Sequence, residues 1–564
     1  MKAIKGVAVL IPVILLAVYV VAHGQQLRPP PEAYKVCEGK SKGSAAQFVG
    51  PRGGTVNGIC EEVDGKLVLQ PNALPGAGQK SMASGAVGPH FQSKEASPRT
   101  IELPVGSSKV FVTRAVPDAE NERGLTDKDY KVKTVHAKDG KVVLTVDGIP
   151  IFVEEQEPTT RAESKPVKSP FGFHPAYTYD TKMDRKKLKE PSDVGYNYTH
   201  SADMGVVWNR PEYYALWGKI QKNDSDIREG RFDWKETDYV YGAVPKRMMT
   251  MGNIGGIDLR TKKGVKPYPR TFTFKSDFYE KSFPLFVKKL VERYDGNGVN
   301  DMPGLKNPVK YWQIDNEPNL GTKDWKGYSN LVEATGKAVK EVCPDCKVIM
   351  GGMTDPQSLD EFYVPVMREL KGKYVDIFDL HSFGLVGSWA GYKDSYESIK
   401  TALNANGFGN ADVWITETGT FSGTPKISRM NLRDPSDYTQ DRQRIAVQAA
   451  MPTQTEKQQA ADVVKRYVYA LSLGIKKIFW AFGIMEGFKG DDSIFDHTGF
   501  ISEGKSSDYT DRQIKKLAYY SYKLMTEKLE GSDFSNIRRV ELGEGVHAFK
   551  FLKSGRTIYV VWAY

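Results

Sequence analysis

The chain reads as an α/β protein, a closed (β/α)8 barrel carrying an accessory antiparallel β-sandwich built from segments at both ends of the chain. Three observations predict this. Between about Pro170 and Gly531, eight short apolar runs alternate with stretches of helical period, the pattern of repeated strand–helix units. Ahead of them lie five short β-type runs with Asp-Gly turns at 139–140 and 147–148, and Asp-Gly between alternating runs is a hairpin signal. The last residues, 546–551 and 557–564, again read as strands, joined at Ser554-Gly555. No G-x-G-x-x-G follows the first strand of the alternation, which argues against an open doubly wound sheet.

Taken in order, residues 1–24 carry Lys2 and Lys5, then the apolar run Val7 to Ala22, with Ala22 and Gly24 as small residues for cleavage. That is the layout of a signal peptide; an uncleaved N-terminal anchor through residues 7–22 is the alternative, and either predicts a secreted or cell-surface protein. Residues 25–98 are rich in Gly, Pro, Ser and Ala and read as a linker or irregular segment pinned by cysteine. Residues 99–168 supply the first part of the sandwich, in runs 100–105, 109–115, 130–136, 141–146 and 149–154. An isolated hairpin is marginal in water, so the terminal pair in 531–564 is expected to complete that sheet. The barrel, 169–530, has strands expected at 171–176, 205–210, 246–251, 311–316, 347–353, 375–381, 413–416 and 477–482. Helices are expected at 278–293, 328–342, 362–370, 458–473 and 512–529. Long insertions at 212–231, 253–274 and 421–456 follow barrel strands.

Bulk properties exclude some function classes. The net charge of +10 is spread along the chain without a long basic block, and no arginine–aromatic groove accompanies it, so no nucleic-acid partner is expected. An anionic polysaccharide would also suit that charge. Four cysteines fit an oxidising compartment. Cys37 and Cys60 could close a loop worth about 3 kcal/mol; Cys343 and Cys346, as C-P-D-C, read as a local disulfide or two thiols rather than half a zinc site.

The chemistry centres on Tyr311 to Leu320, Y-W-Q-I-D-N-E-P-N-L. Pro318 has no N–H to continue a ladder, so Glu317 is held at a strand tip. V-W-I-T-E-T-G at 413–419 does the same for Glu417. In a barrel of this kind active-site residues sit at the C-terminal strand ends, and two carboxylates there are what glycosidic bond cleavage requires. Side-chain alternation sorts the other candidates. Val413, Ile415 and Glu417 share a parity, as do Ile377, Asp379 and His381, and Val206, Trp208 and Arg210. His174 ends the first strand and Trp480 marks the eighth. Asn316 and Glu317 are consecutive, so a bulge or twist must turn both to the pocket. Most have a plainer reading: surface charge for the glutamates, a helix cap or a pairing elsewhere for Arg210, satisfied core histidines for His381 and His174, and core packing for Trp480. Asp491-Asp492 with Asp496 and His497 could hint at a metal, but in a Gly-rich loop they read as solvated charges. No metal and no cofactor is expected.

Counting strands puts Glu317 on the fourth and Glu417 on the seventh. N-E-P-N at 316–319, I-T-E-T-G at 415–419 and F-D-x-x-G at 495–499 resemble clan A retaining glycoside hydrolases. W-Q-I-D-N-E-P-N-L with a Tyr-bearing helix and K-V-I-M-G-G is most similar to family 39, with families 5 and 51 as competitors. Asp315 departs from the pattern, since family 39 usually has an aromatic residue before the Asn. The resemblance implies a TIM barrel, a carbohydrate substrate and a double displacement, with Glu317 as acid/base and Glu417 as nucleophile. Asn316 would hold the sugar's 2-hydroxyl, Arg210 would keep Glu417 ionised, His381 would orient the nucleophile or a hydroxyl, and Trp480 would floor the sugar subsite. A raised pKa is expected for Glu317 beside a second carboxylate. The alternative is a catalytically inactive carbohydrate-binding surface protein on the same scaffold.

Overall fold

The structure, a computed structural model, describes residues 31–49, 55–63, 66–71, 97–117, 125, 130–157, 165–179, 195–255, 272–274, 276–320, 323–425, 452–487, 493–502 and 514–564. The expected export segment, the centres of two insertions and Asp491-Asp492 lie outside them. The chain divides into a unit within Met1–Met82 and a unit Ala83–Tyr564.

The first unit corrects the expectation of an irregular segment. Ala45–Val49, Thr55–Val63 and Lys66–Pro71 form a three-stranded antiparallel sheet. A short helix, Pro31–Lys35, precedes it, and the Cys37–Cys60 disulfide ties the segment after that helix to the central strand. The core is small, Ala33, Cys37, Cys60, Val68 and Leu69, so the cross-link does part of the work that burial does elsewhere.

In the second unit the parallel sheet contains β1 (Phe171–His174), β2 (Trp208–Asn209), β3 in two pieces (Met249–Thr250 and Gly252–Gly255), β4 (Tyr311–Ile314), β5 (Lys347–Met350), β6 (Ile377–Phe383), β7 (Asp412–Gly419) and β8 (Ile478–Ala481). A short strand, Ala215–Leu216, flanks the second piece of β3. The ladder runs from Ala215–Leu216 through Gly252–Gly255, β4 to β8, β1 and β2, and ends at Met249–Thr250. It is therefore a curled parallel sheet of ten segments, not the closed ring of pairings expected. Its flanks are one stretch of chain: Met249–Thr250 pairs with β2, and after Met251 the chain pairs with β4 instead. β2 cannot follow further, because Pro211 lacks the N–H a longer ladder needs.

Helices α1 (Asp277–Tyr294), α2 (Trp325–Val342), α3 (Val364–Leu370), α4 (Tyr392–Ala405), α5 (Glu456–Leu473) and α6 (Leu517–Leu529) provide cover. Their apolar stripes, such as Phe283, Phe286, Val287 and Leu290 of α1, pack with Trp312, Ile314, Val413, Ile415 and Trp480 of the sheet. A separate cluster, Trp208, Met251, Ile349, Ile377, Trp414 and Phe479, fills the concave face. Two faces buried in this way are what parallel strands require.

The antiparallel part draws on both ends of the unit. Its six-stranded sheet runs Arg538–Arg539, Val546–Lys553, Arg556–Ala563, Ile151–Glu154, Lys109–Arg114, Val132–His136. The terminal hairpin enters it through Tyr559 opposite Val153. Arg99–Pro104 and Lys141–Val146 make a separate pair.

Candidate active site

Glu317 and Glu417 come together at the carboxyl ends of β4 and β7, but not by the simple alternation expected. Val413 and Ile415 belong to the helix-facing core, so strict alternation would have turned Glu417 outward. The register between β6 and β7 slips instead: Leu380 pairs with Ile415, and His381 with Glu417. Thr416 is the extra residue of a bulge, and a bulge re-aims the side chains past it. The carboxylate of Asp379 stabilises the bulge, accepting from Thr416 N at 2.9 Å and from Thr416 Oγ1 at 2.6 Å. Further along the strand, Thr418 Oγ1 donates to Ser382 O at 2.7 Å and accepts from the buried Arg466 at 3.2 Å.

The strand-four end solves its own geometric problem differently. Asp315 and Glu317 both have left-handed backbones, with φ of 60° and 47°. Asp tolerates that region better than most residues, and Asp315 Oδ1 accepts from Asn316 N at 2.6 Å. The two left-handed steps bring consecutive residues, Asn316 and Glu317, to the same cluster. Tyr328 of α2 braces the turn, donating to Ile314 O at 2.8 Å and accepting from Gly351 N at 2.8 Å. Gly351 and Gly352 leave room: a Cβ at 351 would lie 2.8 Å from Ile314 O, and one at 352 would lie 2.2 Å from His381 Nε2.

His381 bridges the acids. Its Nδ1 lies 2.8 Å from Glu317 Oε1 and 3.6 Å from Glu417 Oε1, and its Nε2 lies 3.1 Å from both Asp379 Oδ2 and Thr416 Oγ1. Burial alone would lower its pKa, but Glu417, Asp379 and Glu317 more than offset this and raise it to about 10. His381 is thus an imidazolium at neutral pH. Arg210 is the second cation. Fully buried, it donates to Glu417 Oε1 at 2.7 Å, to Asn316 Oδ1 at 2.6 Å and to Gln313 Oε1 at 3.0 Å. Gln313 passes the network on, donating to Asp379 Oδ2 at 2.5 Å and accepting from Asn253 at 3.0 Å. Burial holds the Glu417 carboxyl above its ordinary range; His381 and Arg210 oppose this without cancelling it, and Glu317 and Glu212 add to it.

His174 lies on the other side of Arg210. Its Nδ1 is 2.8 Å from Arg210 O, so that nitrogen donates, and its Nε2 is 3.3 Å from Glu212 and 3.6 Å from Glu417. Glu212 and Tyr214 are residues that the sequence reading missed. Tyr214 packs its ring 5.6 Å from the Arg210 guanidinium carbon. Both come directly after Arg210-Pro211, and the run R-P-E-Y-Y after a strand end was the available signal.

Trp480 is not at the pocket. It is fully buried, its Nε1 donates to Thr498 O at 2.9 Å, and it packs against Phe500 in the helix-facing core. The parity of β8 puts Phe479, not Trp480, on the concave face. The remaining expected residues, Glu317, Glu417, Asn316, Arg210, His381 and His174, form one cluster. Glu317, His381 and Glu417 bring ligand-type atoms within 4.8 Å of one another, a spacing a metal could use, but Arg210 already donates to Glu417 Oε1 and supplies positive charge there. Asp496 and His497 are buried.

No family model matches the chain, and no curated protein matches it. Solved structures do. A family 39 glycoside hydrolase from Bacteroides cellulosilyticus aligns with a TM-score of 0.47 at 15% identity, covering 82% of this chain and 87% of its own. A glucosidase from Croceicoccus marinus aligns at 0.44 and 12%, covering 68% and 76%. A monomeric beta-xylosidase from Caulobacter crescentus aligns at 0.40 and 14%, covering 63% and 68%. Family 39, which the sequence motifs resemble, is therefore among the structural neighbours. At these scores the likeness carries no weight for the chemistry, which rests on the cluster itself.

Proposed function

We propose that the protein is a retaining glycoside hydrolase that cleaves O-glycosidic bonds in oligo- or polysaccharides by double displacement. The observation that carries this reading is the approach of Glu317 and Glu417, whose nearest oxygens lie within 4.8 Å. Retaining enzymes hold the two carboxyl groups about 5–5.5 Å apart, whereas inverting ones need about 6.5–9.5 Å to admit a water. On this reading the curled sheet is a TIM-type barrel, with its catalytic residues at the strand ends where such barrels keep them.

Exposure and strand position assign the roles. Glu417 is held by Arg210 at 2.7 Å, and Asp379 accepts from Thr416 and Gln313. We assign the acid role to Glu317, the more exposed carboxyl of the catalytic pair, where a leaving oxygen can reach it to be protonated. Glu417, whose ionised form Arg210 and His381 favour, attacks the anomeric carbon and forms a glycosyl ester. Glu317, now a base, activates the water that cleaves it. Arg210 fixes Asn316 by its Oδ1, which turns the amide nitrogen toward the sugar's 2-hydroxyl. The protein is secreted or anchored through residues 7–22, which suits a polymeric substrate and the disulfides Cys37–Cys60 and Cys343–Cys346.

The test is Glu417→Ala on an aryl glycoside that the wild type hydrolyses. Turnover should fall by about 10⁴-fold or more, and azide should restore part of it by yielding a glycosyl azide of inverted configuration. Wild-type protein that turns over nothing on a broad panel of aryl glycosides and polysaccharides would overturn the reading.

A further inference from the structure

At the other end of the parallel sheet lies a cavity of about 960 Å³. Tyr311, Lys347, Ile377 and Asp412, the first residues of β4 to β7, line it, as does Lys477, just before β8. The hairpin turn Ser554-Gly555 faces them. Asp412 and Glu417 are five residues apart on one strand, so this cavity lies roughly 16 Å from the carboxylates at about 3.3 Å per residue.

One of the cations in its wall is buried. Lys477 is 6% exposed. Its Nζ donates to Val167 O at 2.7 Å and sits 5.2 Å from the Trp208 ring and 6.0 Å from that of Trp414. Among the described residues no carboxylate forms an ion pair with it. An ammonium has three N–H groups, so a single carbonyl leaves donor capacity unused. Four acids line the cavity too, none at ion-pair distance from Lys477: Asp376 pairs with Lys340 and Lys347, Asp533 accepts from Ser535, Glu530 accepts from Ser169 Oγ at 2.7 Å, and Asp412 is exposed at the head of β7. A buried cation with no carboxylate at ion-pair distance is costly, and an acceptor-rich ligand would lower that cost.

We propose that this cavity is a second ligand site, which takes a saccharide-sized molecule bearing an oxyanion, a sugar acid or a sugar phosphate. The oxyanion would accept from Lys477, and the half-buried ring of Tyr311 would carry the apolar face of the ligand. The site does not depend on the hydrolase reading, because it shares no residue with the carboxylate cluster.

Protonation of Lys477 supplies a signature. Burial lowers its pKa to about 8, Lys476 beside it acts in the same direction, and Asp412 and Glu530 oppose it. Calorimetric titration of the whole protein with glucuronate, glucose 6-phosphate and glucose, at pH 7 and pH 9, tests the proposal. One or both acids should bind at least tenfold tighter than glucose at pH 7, and that advantage should shrink about tenfold at pH 9 as the ammonium loses its proton. Which acid binds identifies the oxyanion. Lys477→Met should remove the advantage, while Lys477→Arg, charged at both pH values, should keep it at pH 9. Equal binding of glucose and both acids would overturn the proposal. So would an advantage unchanged in Lys477→Met or, if that variant does not fold, one that Lys477→Arg loses at pH 9 as the wild type does.

Discussion

At the carboxyl end of the parallel sheet, Arg210 and His381 each lie within 3 Å of an acidic oxygen. At the amino end, Lys477 has one backbone carbonyl and two indole faces. The same strands carry both arrangements, and the pKa shifts record the difference. His381 rises to about 10 because acids surround it, and Lys477 falls to about 8 because burial meets no paired acid. A buried cation is thus held in one place by anions of the protein, and in the other it is left short of them.

The largest effect expected on stability comes from breaking the compensated end. Arg210→Met leaves Glu417 buried beside a lost counter-charge and should cost about 3–5 kcal/mol in urea unfolding, most of it recovered when Glu417→Gln is added. A cost below about 1 kcal/mol would mean that Arg210 does not hold the carboxylate. The next effect is a difference in pH dependence. His381 has a folded value above its ordinary 6.5, so its contribution is complete below about pH 6.5 and is lost as pH rises through about 10. Lys477 has a folded value below its ordinary 10.5, so its burial penalty is complete below about pH 8 and is relieved between 8 and 10.5. That relief is about 3 kcal/mol at 1.36 kcal/mol per pH unit. In the wild type the opposed slopes offset each other over that range. His381→Gln should therefore gain stability relative to wild type from pH 8 to 10, and Lys477→Met should lose it; melting temperatures across that range test both signs. The smallest effect is steric. Gly352→Ala, with a Cβ 2.2 Å from His381 Nε2, should cost about 1–3 kcal/mol and lower kcat more than KM, because it displaces the bridge between the two glutamates.

Much of this was legible in the sequence. The strand–helix alternation, the terminal hairpin and the two glutamates could all be read from run lengths, turn residues and proline. The fine aim of the side chains could not. Alternation counted back from Glu417 put Val413 and Ile415 on the pocket side, whereas one bulge residue, Thr416, reverses the facing before the strand ends. No local signal marks that bulge, because Asp379, which stabilises it, belongs to another strand. Trp480 was misplaced for a related reason: the sequence shows an aromatic strand but not which of its two buried faces adjoins the pocket. Gln313 was passed over as one polar residue in an apolar run, yet it links Arg210 to Asp379. The sheet within residues 31–71 was missed because its strands are set among Gly and Ser, with a disulfide supplying stability that composition does not show.

The left-handed backbone at Asp315 bears on how this position tolerates change. A residue with φ of 60° whose own carboxylate accepts from the next amide is selected for the shape of the turn. Its carbonyl accepts from Asn253 at 3.2 Å, tying the turn to β3. Variants at 315 should sort by backbone preference, with Asn and Gly retaining the turn and β-branched or aromatic residues straining it. The departure from the family 39 pattern at this position then reads as a difference in how the chain reverses direction, and natural variation there would track loop geometry rather than the identity of the sugar.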